Sequence, residues 1–411
     1  MPRIIFINRF FYPDLSATSQ MLTDLAFYLA TREFEIHVIT SAQAYDDPTR
    51  AFPPFEVVQG VEIRRIATSR FGRARLFGRL LDYATFYIGA AWELFRVARS
   101  GDIVVAKTDP PMISVVAAIV ARWRGAALIN WIQDLFPEVA EALDVVKNRM
   151  FGAVLRGLRN NSLNVAWCNV VIGTGMAERL LQEGIPKDRV RVIHNWSDGE
   201  EICPIDRPEN ALLAQWGLEG KFVVGYSGNM GRAHEFTTLL EAAERLSANP
   251  DIVFLLIGDG AQRASIVCFA EQRGLKNIVL KPYQPRELLK LSLGVPHVHV
   301  VSLIPSLEGL IVPSKFYGIA AAGRPTLCVG DQAGEIPRLI EAHACGWTVA
   351  PGHASVLADR ILELTGNREM VDAAGRNARR AFEMNFDQRI AMQQWHSLIH
   401  EGLEQVRGAA Q

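Results

Sequence analysis

The stretch Ser302-Leu-Ile-Pro-Ser-Leu-Glu-Gly-Leu-Ile-Val-Pro-Ser-Lys-Phe-Tyr-Gly-Ile-Ala-Ala-Ala-Gly-Arg324 decides how the whole chain is read. An apolar run from His297 to Leu303 leads into it as a buried strand, and the loop that follows carries one acid, Glu308, and a glycine, Gly309. Pro313 and Ser314 suit the first turn of a helix, Lys315 to Ala322 supply good helix formers and small residues, and Gly323 stops it. Pro325-Thr-Leu-Cys-Val329 reads as the next strand. A strand, loop and helix in this order aim backbone N–H groups and a positive helix end at whatever lies before the loop. That arrangement suits a phosphate, and Lys315 adds a full charge. An ordinary strand-to-helix connection that binds nothing would have the same pattern.

Working outward, the alternation of short β-branched runs with helical spacing continues. Phe222–Ser227, Ile252–Ile257 and Ile278–Leu280 read as strands, with helices at Glu235–Leu246 and Gln262–Arg273. An earlier series has strands at Ile4–Ile7, Glu35–Thr40, Val61–Ile66, Ile103–Ala106, Ala127–Ile132, Asn169–Gly173 and Val190–Ile193. Helices at Thr18–Ala30, Pro111–Arg122 and Gly175–Glu183 lie between them. Such alternation marks parallel sheets covered by helices, so the fold class is α/β. Two series of similar size predict two Rossmann-like domains facing across a cleft, 1–200 and 201–384. The linker Ser197–Glu209 carries the breakers Asp198, Gly199, Pro204 and Pro208. Arg379–Gln411 reads as helical, and residues 385–411 are expected to cross back and pack on the first domain.

A chain of 411 residues exceeds one typical core, and 49% hydrophobic content is ample for two. The net charge of −1 gives no global attraction to nucleic acid or lipid. Five scattered cysteines, never in a C-x-x-C pair, disfavour a disulfide framework and a zinc site and fit a reducing cytoplasm. No metal site is read from the sequence. The N-terminus lacks the pattern of a signal peptide, and no uninterrupted apolar stretch is long enough to span a bilayer.

Several motifs together carry a resemblance. They are the opening strand with its Pro-containing loop, Tyr226-Ser-Gly-Asn-Met-Gly-Arg232, Ile257-Gly-Asp-Gly260, Lys281-Pro-Tyr-Gln284, Pro313-Ser-Lys315 and Ala321-Ala-Gly-Arg-Pro325. Over nearly its whole length the chain resembles the family 4 glycosyltransferases of the GT-B fold. Trp131-Ile-Gln-Asp-Leu-Phe-Pro-Glu138 and Ile193-His-Asn-Trp196 resemble the branch that builds bacterial surface polysaccharides. The resemblance implies transfer of a hexosyl or N-acetylhexosaminyl group from a nucleotide diphosphate sugar, a UDP-sugar being expected, to an acceptor hydroxyl. It further implies retention at the anomeric carbon, with no metal and no cofactor beyond the sugar nucleotide itself.

A leaving nucleoside diphosphate then needs cations, and Lys315 and Arg232 are the two expected to supply them. Asn229 stands where many relatives carry arginine, and His234-Glu235 where they carry Lys-Gly; Arg232 either compensates or is a solvated loop charge. Gly225, Gly228 and Gly231 permit close backbone approach, or simply make a turn. Gly258 belongs to the same donor-binding set, with Ser314 opening the helix. Glu308 is expected to accept hydrogen bonds from the donor sugar, with the amides of Gly309 and Leu310 nearby, unless it is a surface acid. The second glutamate often found eight positions later is missing: Phe316, or Gly318 on another alignment, takes its place. Tyr283 and Gln284 resemble the base-binding turn, or form a plain strand-end turn.

In the first domain, Asp134 either polarises the acceptor hydroxyl or caps a helix, with Glu138 beside it. Ser16 and Ala17 replace the family's usual glycine pair in the loop Tyr12–Ser19. Arg70, Arg73, Arg75, Arg79, Arg96 and Arg99 interleave with Phe71, Phe77, Tyr83, Phe86, Tyr87, Trp92 and Phe95. Lys147, Arg149, Arg156 and Arg159 extend the basic character. That interleaving suits peripheral binding at the inner face of the cytoplasmic membrane and a polyprenyl-pyrophosphate-linked acceptor glycan, or a core with a solvated face. No nucleic-acid partner is expected. The rivals are a sugar-nucleotide epimerase or a phosphorylase on the same fold, and a non-catalytic sugar-nucleotide-binding subunit.

Overall fold

The computed structural model describes residues 2–14, 16–45, 51–69, 71 and 76–409. The backbone divides into two compact units, Met1–His194 with Met392–Gln411, and Asn195–Ala391.

The first unit is built on an eight-stranded sheet of β1 (Arg3–Ile7), β2 (Glu35–Ser41), β3 (Phe55–Val58), β4 (Val61–Ile66), β5 (Ile103–Lys107), β6 (Ala127–Ile132), β7 (Cys168–Val171) and β8 (Val190–Val192). Its order is β3-β4-β2-β1-β5-β6-β7-β8, and every pair is parallel except β3 with β4. β1 and β5 are buried along their whole length, as a sheet covered on both faces requires. Strand order reverses between β1 and β5, so the loops after these two strands open at a topological switch point. The helices Leu76–Val97 and Ile113–Arg124 cover one face, burying Phe86, Ala90, Leu94, Ala117 and Ala121 against Ile5, Val104 and Leu128. From Met392 onward the last helix, Gln388–Ala409, belongs to this unit, where the buried Trp395 ring packs 4.7 Å from that of Trp131.

The second unit carries a six-stranded, wholly parallel sheet: β9 (Phe222–Ser227), β10 (Ile252–Ile257), β11 (Ile278–Lys281), β12 (Val298–Ser302), β13 (Thr326–Val329) and β14 (Gly346–Val349). Its order is β11-β10-β9-β12-β13-β14, with the reversal between β9 and β12. Phe222, Val224, Tyr226, Phe254, Val298, Val300 and Leu327 form the centre of its core.

Three expectations are corrected. β3 and β14 are not read from the sequence, because β3 is a half-exposed edge hairpin strand and β14 is a four-residue run opening on glycine. The helical tail is two helices, Arg368–Asn385 and Gln388–Ala409; Phe386 is buried at the break, and Asp387 accepts from the Arg389 amide to start the second. His297 precedes β12: its amide donates to Val223 O, and its Nδ1 accepts from the Val223 amide. The segment between Ser69 and Ser100 folds as the single helix Leu76–Val97, with Arg70, Arg73 and Arg75 outside the described residues, as is the Phe77 side chain. Of the aromatics read there, Phe86 is core, whereas Phe71, Trp92 and Phe95 are exposed.

Candidate functional site

At the switch point of the second unit, the loops after β9 and β12 bring Lys315, Tyr226 and His234 together. Lys315 is the first residue of the short helix Lys315–Ala321, which Ala322 and the left-handed Gly323 end as expected. Its Nζ donates to the Tyr226 hydroxyl at 2.5 Å and to His234 Nε2 at 3.3 Å, and lies 4.0 Å from the centre of the Tyr226 ring. Tyr226 passes the chain on, donating to Asn229 O at 2.7 Å. His234 Nδ1 donates to Ser302 O at 2.7 Å, which leaves Nε2 as the acceptor toward Lys315.

The electrostatics follow from this enclosure. Burial brings the Lys315 pKa down to about 7, and burial followed by the Lys315 charge brings His234 down to about 4. His234 is therefore neutral at pH 7, and Lys315 stands at the midpoint of its titration. An anion arriving beside Nζ restores the full positive charge. Burial also holds the Tyr226 phenol far above its ordinary range, so it remains a donor.

The loop bearing Asn229 and Gly231 is fixed by the next one. Met230 N–H donates to Asp259 O at 2.8 Å, and the Gln262 amide group donates to Gly231 O at 2.7 Å and His234 O at 2.8 Å. Gly228 and Gly258 both have left-handed φ, and a Cβ on Gly258 would collide with the Gly228 carbonyl. This contact explains the glycine pair more directly than a general allowance for phosphate approach. Tyr283 is exposed, its hydroxyl donating to Asp259 O at 3.2 Å, and Gln284 donates back to Pro282 O.

Glu308 is half-buried and is not a free surface acid. Its carboxylate lies against Gly330 and Gly334 and accepts from the Glu335 amide, where the helix Glu335–His343 begins. Burial chiefly, then the acids Asp331 and Glu335, push its pKa up to about 7. Gly309 is left-handed, but the Leu310 amide is committed to Leu307 O at 3.0 Å and is not free for a ligand. Ser314 is exposed and makes no side-chain cap. Arg232 is exposed and makes no side-chain hydrogen bond or ion pair among the described residues. Phe316 is fully buried, so its position offers no group to a ribose.

In the first unit Asp134 follows β6, reaches solvent and accepts no hydrogen bond among the described residues, so it caps no helix. Enclosure by surrounding protein, then the charge of Asp109, raises its pKa to about 6. Glu138 is spoken for: it binds Arg159 at 2.7 Å, and Arg159 also reaches Glu183 at 3.2 Å. Arg159 is thus an internal ion-pair partner and not part of a basic surface, and Arg156 is paired with Glu141 at 2.5 Å. Ser16 precedes the helix Ala17–Ala30; its amide donates to Asp14 Oδ1 at 2.8 Å, and Leu15 beside it lies outside the described residues. Sequence reasoning missed Lys107, fully buried at the end of β5, with Nζ donating to Thr18 O at 2.9 Å and lying 3.6 Å from the Trp131 ring centre. A lysine closing an otherwise apolar strand, Ile103-Val-Val-Ala-Lys107, was the available signal. Tyr226 and His234 were also missed as site residues, although both flank the glycine motif.

Each unit is an α/β sheet whose loops open at a switch point, and comparison with known proteins makes the family specific. Residues 209–381 match the family described as glycosyl transferases group 1, and residues 17–196 match the glycosyl transferase 4-like domain. The chain belongs to glycosyltransferase family 4 and has the GT-B fold. It is 28% identical to the probable glycosyltransferase WbjE of Pseudomonas aeruginosa, over 75% of this chain and 77% of that one. It is 24% identical to WcaI of Escherichia coli (strain K12), whose name places it in colanic acid biosynthesis, over 80% and 83%. Among solved structures, sucrose-phosphate synthase from Thermosynechococcus elongatus superposes with a TM-score of 0.77 at 16% identity, covering 98% and 99% of the chains. HepE from Anabaena, solved with UDP and glucose, gives 0.75 at 16% identity, covering 98% and 100%. Among the described residues no helix is long and apolar enough to cross a membrane.

Proposed function

We propose that the chain is a retaining, metal-independent hexosyl- or N-acetylhexosaminyltransferase. In this reading it moves a sugar from a UDP-sugar, with no added cofactor, to a lipid-linked glycan in bacterial surface polysaccharide synthesis. The observation that carries the reading is Lys315, an enclosed lysine with a depressed pKa at the β9–β12 switch point. Such a group gains its charge when a diphosphate arrives and neutralises it as the sugar leaves. Arg232, uncommitted within the described residues, is the second cation. The bond from the anomeric carbon to the phosphate oxygen breaks, the acceptor oxygen bonds to that carbon on the same face, and the acceptor proton passes to the departing phosphate. Glu308 holds donor-sugar hydroxyls, Tyr283 and Gln284 flank the base, and Asp134 orients the acceptor hydroxyl.

The membrane part of the proposal rests on the first unit. Its neighbouring helices Leu76–Val97, Ile113–Arg124 and Arg149–Val165 leave large apolar side chains in solvent, among them Ile88 (72% exposed), Trp92 (65%), Trp123 (74%) and Met150 (81%). Arg96, Arg99, Arg122, Lys147 and Arg149 are exposed on or beside the same helices. Apolar anchors with flanking cations suit an interface with anionic lipid. The acceptor is then presented at the surface where the enzyme sits.

The test is release of nucleoside diphosphate from a panel of UDP-, GDP- and dTDP-sugars, with acceptors of polyprenyl-pyrophosphate type, with and without EDTA. UDP release that needs the lipid acceptor and survives EDTA supports the proposal. Binding of a sugar nucleotide with no turnover on any acceptor would favour a binding subunit, and loss of turnover in EDTA would refute metal independence.

A further inference from the structure

At the N-terminal edge of the first sheet, away from the loops at its C-terminal edge, the turn before β2 places Glu33 against the last helix. His396 and His400 stand one helical turn apart and so face the same way. His400 Nε2 lies 2.8 Å from Glu33 Oε1, His396 Nε2 lies 3.8 Å from the same oxygen, and the two imidazole rings are 4.5 Å apart between centroids. One ligand atom from each of the three residues falls within 4.8 Å of the others. Tetrahedral zinc with bonds of about 2.0–2.1 Å sets its donor atoms about 3.3 Å apart. The separations of 2.8 and 3.8 Å bracket that value.

The surroundings favour a cation over a simple hydrogen bond. A Glu33–His400 pair alone would use one imidazole, whereas here a second is directed at the same carboxylate oxygen. The buried Phe34 ring packs edge-on against His396 at 5.5 Å and tilts against His400 at 5.3 Å, which restricts both rings. Arg32, the neighbouring charge that opposes a cation, has its guanidinium over the Tyr28 ring at 4.9 Å.

We propose that Glu33, His396 and His400 form a three-ligand site for a borderline divalent cation of the Zn2+ or Ni2+ type, with water completing the coordination. The ligands join positions up to 367 residues apart, so no local sequence pattern discloses them. The bound ion clamps the last helix to the turn after Ala17–Ala30 within the first unit. The site is structural, and it stands independently of the sugar-transfer reading.

The experiment uses tag-free, chelator-stripped protein titrated with ZnCl2 by calorimetry and thermal unfolding, beside the double variant His396→Ala/His400→Ala and the single variant Glu33→Gln. One equivalent of Zn2+ should bind and raise Tm by several degrees, since binding to the folded state alone stabilises it. Each variant's Tm with EDTA present is its own baseline, against which its Zn2+ response is read. The double variant should lose the Zn2+ response, and Glu33→Gln should weaken binding roughly tenfold or more. Co2+ should give the intense visible bands of tetrahedral coordination in the wild type only. Absence of stoichiometric binding, binding that survives in the double variant, or unchanged affinity in Glu33→Gln would overturn the three-ligand site.

Discussion

Lys315 Nζ sits 2.5 Å from the Tyr226 hydroxyl and 4.0 Å from the centre of the same ring, so one tyrosine meets the lysine through both its oxygen and its π-face. These contacts hold the amine while leaving its charge largely uncompensated, because the remaining partner, His234, is neutral. An amine so placed is poised for an anion.

Replacing that amine should therefore remove a preorganised charge. Lys315→Met is expected to lower turnover by roughly 2–4 kcal/mol of transition-state stabilisation and to weaken UDP binding. Because free Lys315 has a pKa of about 7, UDP binding at pH 8 should take up a proton, and affinity should fall as pH rises above 7. Calorimetry in buffers of differing ionisation enthalpy measures the uptake. Equal proton uptake in wild type and Lys315→Met would show that another group takes the proton.

For Glu308 the two roles separate by measurement. If it holds the sugar, Glu308→Gln cuts turnover sharply while free UDP affinity stays within about 1 kcal/mol. The carboxyl also has a folded-state pKa of about 7 against 4.5 ordinarily, so it contributes stability that is full below pH 4.5 and is lost as pH rises through 7. Glu308→Gln should accordingly be the more stable protein at pH 8, by roughly 1 kcal/mol after allowance for its partial exposure. Unfolding curves at pH 5 and pH 8 check this.

Asp134 should give the acid limb of the activity profile. With its pKa at about 6, it loses charge as pH falls below that value, and turnover should drop with it. Asp134→Asn is expected to be slow at every pH and to lack this limb. A limb near pH 6 that persists in the variant would assign it elsewhere.

The exposed helices predict salt-sensitive attachment. Binding to vesicles containing anionic lipid should weaken with added salt, and Trp92→Ser with Trp123→Ser should reduce it severalfold, while turnover on a soluble acceptor mimic is kept. Cosedimentation measures the first and UDP release the second. Vesicle binding unaffected by the two substitutions would move the contact to another face.

How much the sequence disclosed depends on how local the signal is. Central strands such as Ala127–Ile132, Phe222–Ser227 and Ile252–Ile257 are legible to the residue, because parallel strands buried on both faces are largely continuous apolar runs. Edge strands β3 and β14 have no such run. Lys315 is legible from Pro-Ser-Lys and the stop at Gly323, but its partner His234 is 81 residues away, and only folding reveals that they touch. The lodging of Glu308 against Gly334 is likewise a tertiary fact, as is the Arg159 bridge that removes Glu138 from the solvent-facing acids. Composition alone could not divide the aromatics of Leu76–Val97 into Phe86, which is core, and Trp92, which is not.

The packing of Trp395 on Trp131 also sets an order of events during synthesis. The second unit is contiguous in the chain and leaves the ribosome whole, whereas the first, although begun earlier, lacks Trp395, Leu398 and Ile399 until the second has been made. Domains generally fold as units as they emerge. The nascent first unit must therefore wait, with the surface that these side chains will cover still open, while some two hundred residues of the second are added, and it is the later-made half that finishes first.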